Sequence, residues 1–410
     1  MSGPELVTFG CRLNIAESEA MRGLTADRDD LIIINSCAVT AEAVRQARQA
    51  IRRARRRRPD ARIVVTGCAA QTDPAMFADM PEVDQVLGNR DKLQSASFDP
   101  AVGRVRVSDI MAAPEALSQT PQPRITVFAR HVRAFVEVQT GCDHRCTFCI
   151  IPYGRGPSRS VPAGLVIDRI KALVDHGHRE VVLTGVDLTS YSSPKLGTLV
   201  LAILDGVPAL PRLRLSSLDG VEIDPLLFEL LTQEPRVMPH VHLSLQSGDD
   251  LVLKRMKRRH SRGQAIHLVQ RLKAARPEIA IGADIIAGFP TESDEAHRRN
   301  LSLIEACDIV HGHIFPYSPR PDTPAARMPQ IGPVVVHERA AELRAAVAAR
   351  RQRWLDSQVG AVRDVLAEQD GTGHAPDFAR FRLPEGVRPG AIVRLRATGL
   401  EAGLLVGEPA

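Results

Sequence analysis

Ala134-Phe135-Val136-Glu137-Val138-Gln139-Thr140-Gly141-Cys142-Asp143-His144-Arg145-Cys146-Thr147-Phe148-Cys149 is the stretch on which the fold turns. Residues 134–139 have the make-up of a strand, and the loop after them carries three closely spaced cysteines. From here to about residue 320, further strand-like runs cover 180–184, 213–216, 241–245, 279–286 and 311–315, with helical stretches such as 166–176 and 264–275 between them. Six strands alternating with helices predict an α/β barrel or partial barrel. Loops at the C-terminal ends of such strands are where barrel active sites lie.

Working toward the N-terminus, residues 6–9, 31–34 and 62–66 are short apolar runs that end at Cys11, Cys37 and Cys68. Continuous β-branched runs suit strands buried on both faces of a parallel sheet. Thr40 can cap a helix running to about Arg58, so the pattern is strand-helix-strand. Parallel strands put their C-terminal ends on one edge, so these three cysteines are expected to converge there. Residues 1–100 are read as this first α/β domain and the proline-bearing residues 101–127 as a linker. Toward the C-terminus, residues 336–358 predict a long helix closing a central domain of residues 128–357. Runs at 362–368, 378–383, 392–398 and 403–408 predict a small β-barrel over residues 358–410.

The 410 residues carry 53 Lys+Arg against 48 Asp+Glu, a net charge of +5 that excludes a globally basic nucleic-acid binder but allows local patches. Two basic segments stand out. Arg45, Arg48, Arg52 and Arg55 form a helical stripe within an arginine run to Arg58, and Lys254, Arg255, Lys257, Arg258, Arg259 and Arg262 form the second. No run is long and apolar enough to span a bilayer and no signal segment opens the chain, so a cytoplasmic protein with no membrane partner is expected. In reducing cytosol, clustered cysteines are more often metal ligands or catalytic groups than disulfides. Cys307, outside both groups, is expected to be core.

Cys142, Cys146 and Cys149 follow C-x3-C-x2-C spacing, close enough to wrap one iron–sulfur cluster. Three thiolates leave one iron of a four-iron cluster open for a substrate. The alternative is a structural zinc with His144 as fourth ligand.

This run resembles the signature of the radical S-adenosylmethionine superfamily. The resemblance implies a four-iron cluster whose open iron chelates S-adenosylmethionine and whose reduction cleaves it to methionine and a 5′-deoxyadenosyl radical. It also implies cofactor contacts at Phe148, Gly185, Asp187, Ser217 and Gln246, from the segments Thr184-Gly185-Val186-Asp187, Ser216-Ser217-Leu218-Asp219 and Leu243-Ser244-Leu245-Gln246-Ser247-Gly248. The segments Phe9-Gly10-Cys11-Arg12-Leu13-Asn14, Ile34-Asn35-Ser36-Cys37-Ala38-Val39-Thr40 and Val65-Thr66-Gly67-Cys68-Ala69 resemble the N-terminal domain of the methylthiotransferase family within that superfamily. That resemblance covers nearly the whole chain, with the terminal barrel matching the family's TRAM module. It implies a second [4Fe-4S] cluster on Cys11, Cys37 and Cys68. S-adenosylmethionine would serve as methyl donor and as radical source.

Arg12-Leu13-Asn14 and the Asn35-to-Thr40 segment most resemble the MtaB-type group. Its members methylthiolate carbon 2 of N6-threonylcarbamoyladenosine beside the tRNA anticodon. The implied partners are the tRNA anticodon stem-loop, a flavodoxin- or ferredoxin-like electron donor and a sulfur source. Arg12 or Arg155 is a candidate partner for the threonylcarbamoyl carboxylate, and Phe378 and Phe381 are the aromatics available for stacking RNA bases in the terminal barrel. The alternatives are isopentenyladenosine or a ribosomal-protein aspartate as substrate, an auxiliary cluster that only relays electrons, and a zinc-containing RNA-binding protein without turnover.

Overall fold

The computed structural model describes residues 3–112, 128, 131–192 and 194–410. Strands β1 (Glu5–Thr8), β2 (Leu31–Ser36), β3 (Arg62–Gly67), β4 (Gln85–Leu87) and β5 (Val105–Arg106) form one parallel sheet in that order. Period-two alternation explains its double burial. Ile32, Ile34, Ile63 and Val65 pack with Ile51 and Ala54 of helix α2 (Ala41–Arg57), while Leu31, Ile33 and Val64 pack with Met21 of helix α1 (Arg12–Leu24). Thr40 caps α2 as expected, its side chain accepting from the Ala43 amide at 3.1 Å. The sheet takes β5 from the stretch read as linker, and residues 113–127 of that stretch lie outside the described residues.

The central unit begins with β6 (Ala134–Glu137). A short antiparallel pair, β7 (Gln139–Thr140) and β8 (Arg159–Ser160), then brackets the cysteine loop. Strands β9 (Glu180–Thr184), β10 (Arg212–Leu215), β11 (His240–Gln246), β12 (Ala280–Ala287) and β13 (Ile309–Pro316) follow. Parallel sheets β6-β9-β10 and β11-β12-β13 are joined by the bridges Leu213–Val237 and Leu218–Leu243. The result is a six-stranded barrel left open between β6 and β13, as the partial-barrel reading anticipates. The N-terminal domain covers the gap. Helix α1 packs on β6, and beyond β13 the Ser318 hydroxyl accepts from the Ala41 amide (3.2 Å) while Arg320 donates to the Ala38 carbonyl (3.2 Å).

The barrel strands alternate too. Leu213, Leu215, Val241, Leu243, Leu245, Ile281, Ala283 and Ile285 join the core under the helices. The residues between them, Arg212, Arg214, His240, His242 and Asp284, lie on the opposite, lumen face. Cys307 is fully buried at the end of the helix Asp294–Ala306.

Strands β14 (Val362–Ala367), β15 (Thr372–His374), β16 (Arg380–Arg382), β17 (Ile392–Glu401) and β18 (Leu404–Pro409) close a five-stranded barrel in the order β14-β15-β16-β18-β17. It seals the lower, N-terminal mouth of the central barrel. Arg212 donates to the carbonyls of Asp364 (2.6 Å) and His374 (3.2 Å), and Arg214 to those of Ala375 (2.9 Å) and Pro376 (2.7 Å). This docking corrects the expected role of the two phenylalanines. Phe381 is the fully buried core of the small barrel. Phe378 stacks on His240 (5.0 Å between centroids) at the floor of the lumen, so neither ring is presented to RNA on an outer face.

Candidate active site between two cysteine triads

The cysteines of the central loop gather at the C-terminal mouth. Gly141 sets the turn with φ of +74°, and a Cβ there would collide with the Pro157 carbonyl. Left-handed strain alone costs a substituted residue about 1–3 kcal/mol. Gly141→Ala is therefore expected to yield protein with less bound iron than the parent, read by iron analysis of equal amounts of folded protein.

Cys142 Sγ lies 3.8 Å from Asp187 Oδ2, and Arg258 Nη1 lies 3.7 Å from Cys146 Sγ. Burial pushes the Cys142 and Cys149 thiols up to about 12. A bound cation would be needed to hold them as thiolates, because desolvation alone favours the neutral thiol. Asp187 accepts from His144 (2.8 Å) and Ser190 (2.6 Å). Burial raises its carboxyl, but these hydrogen bonds outweigh burial and hold it below its ordinary value. The bond to Asp187, then Glu222, raises His144 to about 10. Arg258 and Arg259 both reach Asp219, at 3.0 and 3.3 Å.

The expected cofactor contacts share this mouth. Phe148 meets Phe289 edge-on at 6.5 Å, and Gly185 is packed so that a Cβ would come within 2.9 Å of the Gln139 carbonyl. Ser217 and Ser244 share a hydrogen bond of 2.7 Å, and Gln246 ends β11 at φ +67°.

Cys11, Cys37 and Cys68 end β1, β2 and β3 at one sheet edge, as topology anticipates. Gly10, at φ +97°, lets them approach: a Cβ there would lie 2.9 Å from Cys37 Cβ and 3.0 Å from its sulfur. The segment after the central loop reaches the N-terminal triad across the domain junction: a Cβ on Gly154, five residues past Cys149, would lie 3.3 Å from Cys68 Cβ.

A buried polar network locks this junction. Glu17 accepts from Lys92 at 2.6 Å and from Arg155 at 2.8 and 3.0 Å, and Arg155 also donates to Asn14 at 2.7 Å. Asn89 donates to the Gly154 carbonyl (2.6 Å) and lies 3.7 Å from Cys68 Sγ. Arg155 is thus corrected as a candidate for a substrate carboxylate: it is 3% exposed and already paired. No spacing links Glu17, Lys92 and Arg155 in sequence, so only the fold reveals them. Burial raises the Glu17 carboxyl, yet Arg155 and Lys92 outweigh it and bring the group down to about 2. Its stabilising contribution is full above its unfolded value and is lost as pH falls toward 2. Glu17→Gln leaves two buried cations uncompensated and is expected to cost about 3–5 kcal/mol at pH 7. The deficit should narrow in thermal unfolding as pH falls from about 4, where the carboxyl of the unfolded parent takes up a proton, toward 2, where the native one does.

Each triad offers three cysteine sulfurs, the donor type that iron–sulfur clusters take. Neither triad brings its three sulfurs within 4.8 Å of one another. Sulfurs sharing one tetrahedral zinc at about 2.3 Å would stand only ~3.8 Å apart. His144 Nε2 lies 2.8 Å from Asp187 and 2.8 Å from Arg259, and the donor atoms of Cys142, His144 and Asp187 lie within 4.8 Å of one another.

The basic segments are only partly free. Arg55 donates to the carbonyls of Pro59, Ala61 and Glu82, and Arg262 to those of Gly248 and Arg299. Arg53, Arg56, Lys254 and Lys257 remain exposed.

Residues 136–304 match the radical SAM superfamily, and residues 5–88 match the uncharacterised protein family UPF0004. The chain is 45% identical to the threonylcarbamoyladenosine tRNA methylthiotransferase MtaB of Rickettsia prowazekii, over 98% of this chain and 96% of that relative. It belongs to the radical SAM tRNA methylthiotransferases. Enzymes of this family use [4Fe-4S] clusters and S-adenosylmethionine. Identity to the tRNA-2-methylthio-N(6)-dimethylallyladenosine synthase of Cereibacter sphaeroides is 33%, over 98% of this chain and 97% of that relative. Among solved structures, the radical S-adenosylmethionine methyltransferase TsrM from Kitasatospora setae, with cobalamin and a [4Fe-4S] cluster bound, shares the fold at TM-score 0.56 and 17% identity, covering 82% of each chain. No helix among the described residues is long and apolar enough to cross a membrane.

Proposed function

We propose that this methylthiotransferase acts on carbon 2 of N6-threonylcarbamoyladenosine beside the tRNA anticodon, with one four-iron cluster on Cys142, Cys146 and Cys149 and a second on Cys11, Cys37 and Cys68. The observation that supports the two-cluster reading is the packing of Gly154, five residues past Cys149, against Cys68, which brings the central cysteine loop beside the N-terminal triad. The base follows the MtaB relatives, one of them alike over almost its entire length.

When bound, the central cluster supplies the electron that splits S-adenosylmethionine, and the auxiliary cluster holds the sulfur to be methylated and transferred. The chain's own part is placement. Phe148, Gly185, Asp187, Ser217 and Gln246 frame the cofactor at the upper mouth. The terminal barrel closes the lower mouth against water, which protects a radical from side reactions. An anticodon loop already offers a splayed purine, which lowers the cost of bringing the base into the lumen. The exposed arginines of α2 suit phosphate contacts, whose strength should fall steeply with salt. A flavodoxin- or ferredoxin-like donor and an external sulfur source complete the reaction.

Metal and sulfide analysis of anaerobically prepared protein is the first test. About eight iron and about eight labile sulfide ions per chain are expected for two cubanes. Zinc without sulfide would overturn the reading in favour of an RNA-binding protein without turnover. The prepared enzyme should convert an anticodon stem-loop carrying threonylcarbamoyladenosine to the methylthio form. An unchanged stem-loop beside an active ribosomal-protein substrate would reassign the target.

A further inference from the structure

Among the described residues, the barrel lumen holds a cation, Arg12, that the fold leaves without a hydrogen bond or ion pair. Arg12 follows Cys11 and opens helix α1, which packs on β6. Its Cζ stands 5.8 Å from the centre of the Phe378 ring, beside Arg133 at 5.2 Å and Arg214 at 4.8 Å. The other two guanidinia have partners: Arg133 binds Glu368 at 2.9 Å, and Arg214 binds Glu180 at 2.7 Å and two backbone carbonyls. Arg12 makes no hydrogen bond or ion pair among the described residues, and only the distant charges of Glu180 and Asp284 favour it. Both acids are already engaged. His242 and His313 bracket Asp284 at 2.9 and 3.2 Å, and Arg212 joins Arg214 on Glu180 at 3.6 Å. Four guanidinia (Arg12, Arg133, Arg212, Arg214) thus face three carboxylates (Glu180, Asp284, Glu368). A half-buried guanidinium left over in this way is a ready anion site, and its planar fork matches a carboxylate.

We propose that Arg12 binds the carboxylate of the amino-acid arm on the substrate base and so selects an acidic N6 substituent over an apolar one. This rests on the base assignment proposed above. The reacting carbon must be reached from both triads, and Arg12 is one residue from Cys11, so an arm on the same base ends in the lumen that Arg12 occupies. An apolar arm would bury the guanidinium without a partner, which makes the same residue a device of rejection. The His242–Asp284–His313 group, whose donor atoms lie within 4.8 Å of one another, is spatially able to take a metal ion. The surplus positive charge beside it and its internal hydrogen bonds favour its reading as the fixed wall of the anion site.

The test uses full-length protein with its clusters and no S-adenosylmethionine, so that binding is read without turnover. Two anticodon stem-loops are compared, one carrying threonylcarbamoyladenosine and one carrying its methyl ester. The parent should bind the acid about 100-fold more tightly than the ester, the scale of one buried charge pair. Arg12→Gln should bring the two affinities within about threefold of each other by weakening the acid alone, and Arg12→Lys should restore part of the difference. All three proteins are compared at equal iron and sulfide content. Equal weakening of both RNAs would assign Arg12 to an RNA phosphate and overturn the proposal, as would a preference unchanged in Arg12→Gln. In a separate turnover assay with S-adenosylmethionine and a reductant added, a parent that methylthiolates dimethylallyladenosine but neither RNA would overturn the base assignment, and this proposal with it.

Discussion

Cys142→Ala is expected to abolish reductive cleavage of S-adenosylmethionine while leaving the auxiliary cluster in place. Cys142 is 9% exposed and opens the loop that the Gly141 turn sets, and its sulfur is the one nearest Asp187. Two remaining thiolates cannot hold a cubane that already has an open iron. Iron per chain should therefore fall by about half, and 5′-deoxyadenosine formation should fall to background. The triad on the N-terminal sheet stands on separate strands, with its own supports in Asn14, Asn89 and Glu17, so its iron should remain. Methylthio product from this variant would contradict the assignment of the radical site.

Cys37→Ala is expected to give the opposite pattern. S-adenosylmethionine cleavage persists, and sulfur transfer stops. Cys37 ends β2, is 8% exposed, and is packed against Gly10, with the Val39 amide 3.5 Å from its sulfur. Alanine fills part of the same space, so the sheet should tolerate the change, while the second cluster loses one of its three ligands. Substrate that stays unmodified while 5′-deoxyadenosine forms would mark the uncoupling. If both variants lost cleavage alike, the two triads would not divide the work as proposed.

The parallel sheet and the partial barrel were legible because apolar runs of four to eight residues alternate with helical periods, and each run ends at a chemically marked position. Convergence of Cys11, Cys37 and Cys68 followed from strand direction alone. The polar lumen was also written in the sequence, as Arg212/Arg214, His240/His242 and His311/His313 at period two. Reading those runs only as strands hid the face that carries the anion site. Other features had no local signature. The Glu17–Lys92–Arg155 lock joins three segments through burial, and Lys92 would pass for a surface residue in any window. Two-residue strands such as β5 carry too little pattern to be separated from a linker. The terminal barrel was visible as strands, but its docking was not. Arg212 and Arg214 hold it through backbone carbonyls, which carry no residue identity, so nothing in the sequence places Phe378 at the floor of the lumen.

The base assignment is tested most directly by mass spectrometry of nucleosides from tRNA of cells lacking this gene, compared with the parent strain. The account predicts that the methylthio form of threonylcarbamoyladenosine disappears and its unmethylthiolated precursor accumulates, with other methylthio nucleosides unchanged. An unaltered level of that nucleoside would contradict it.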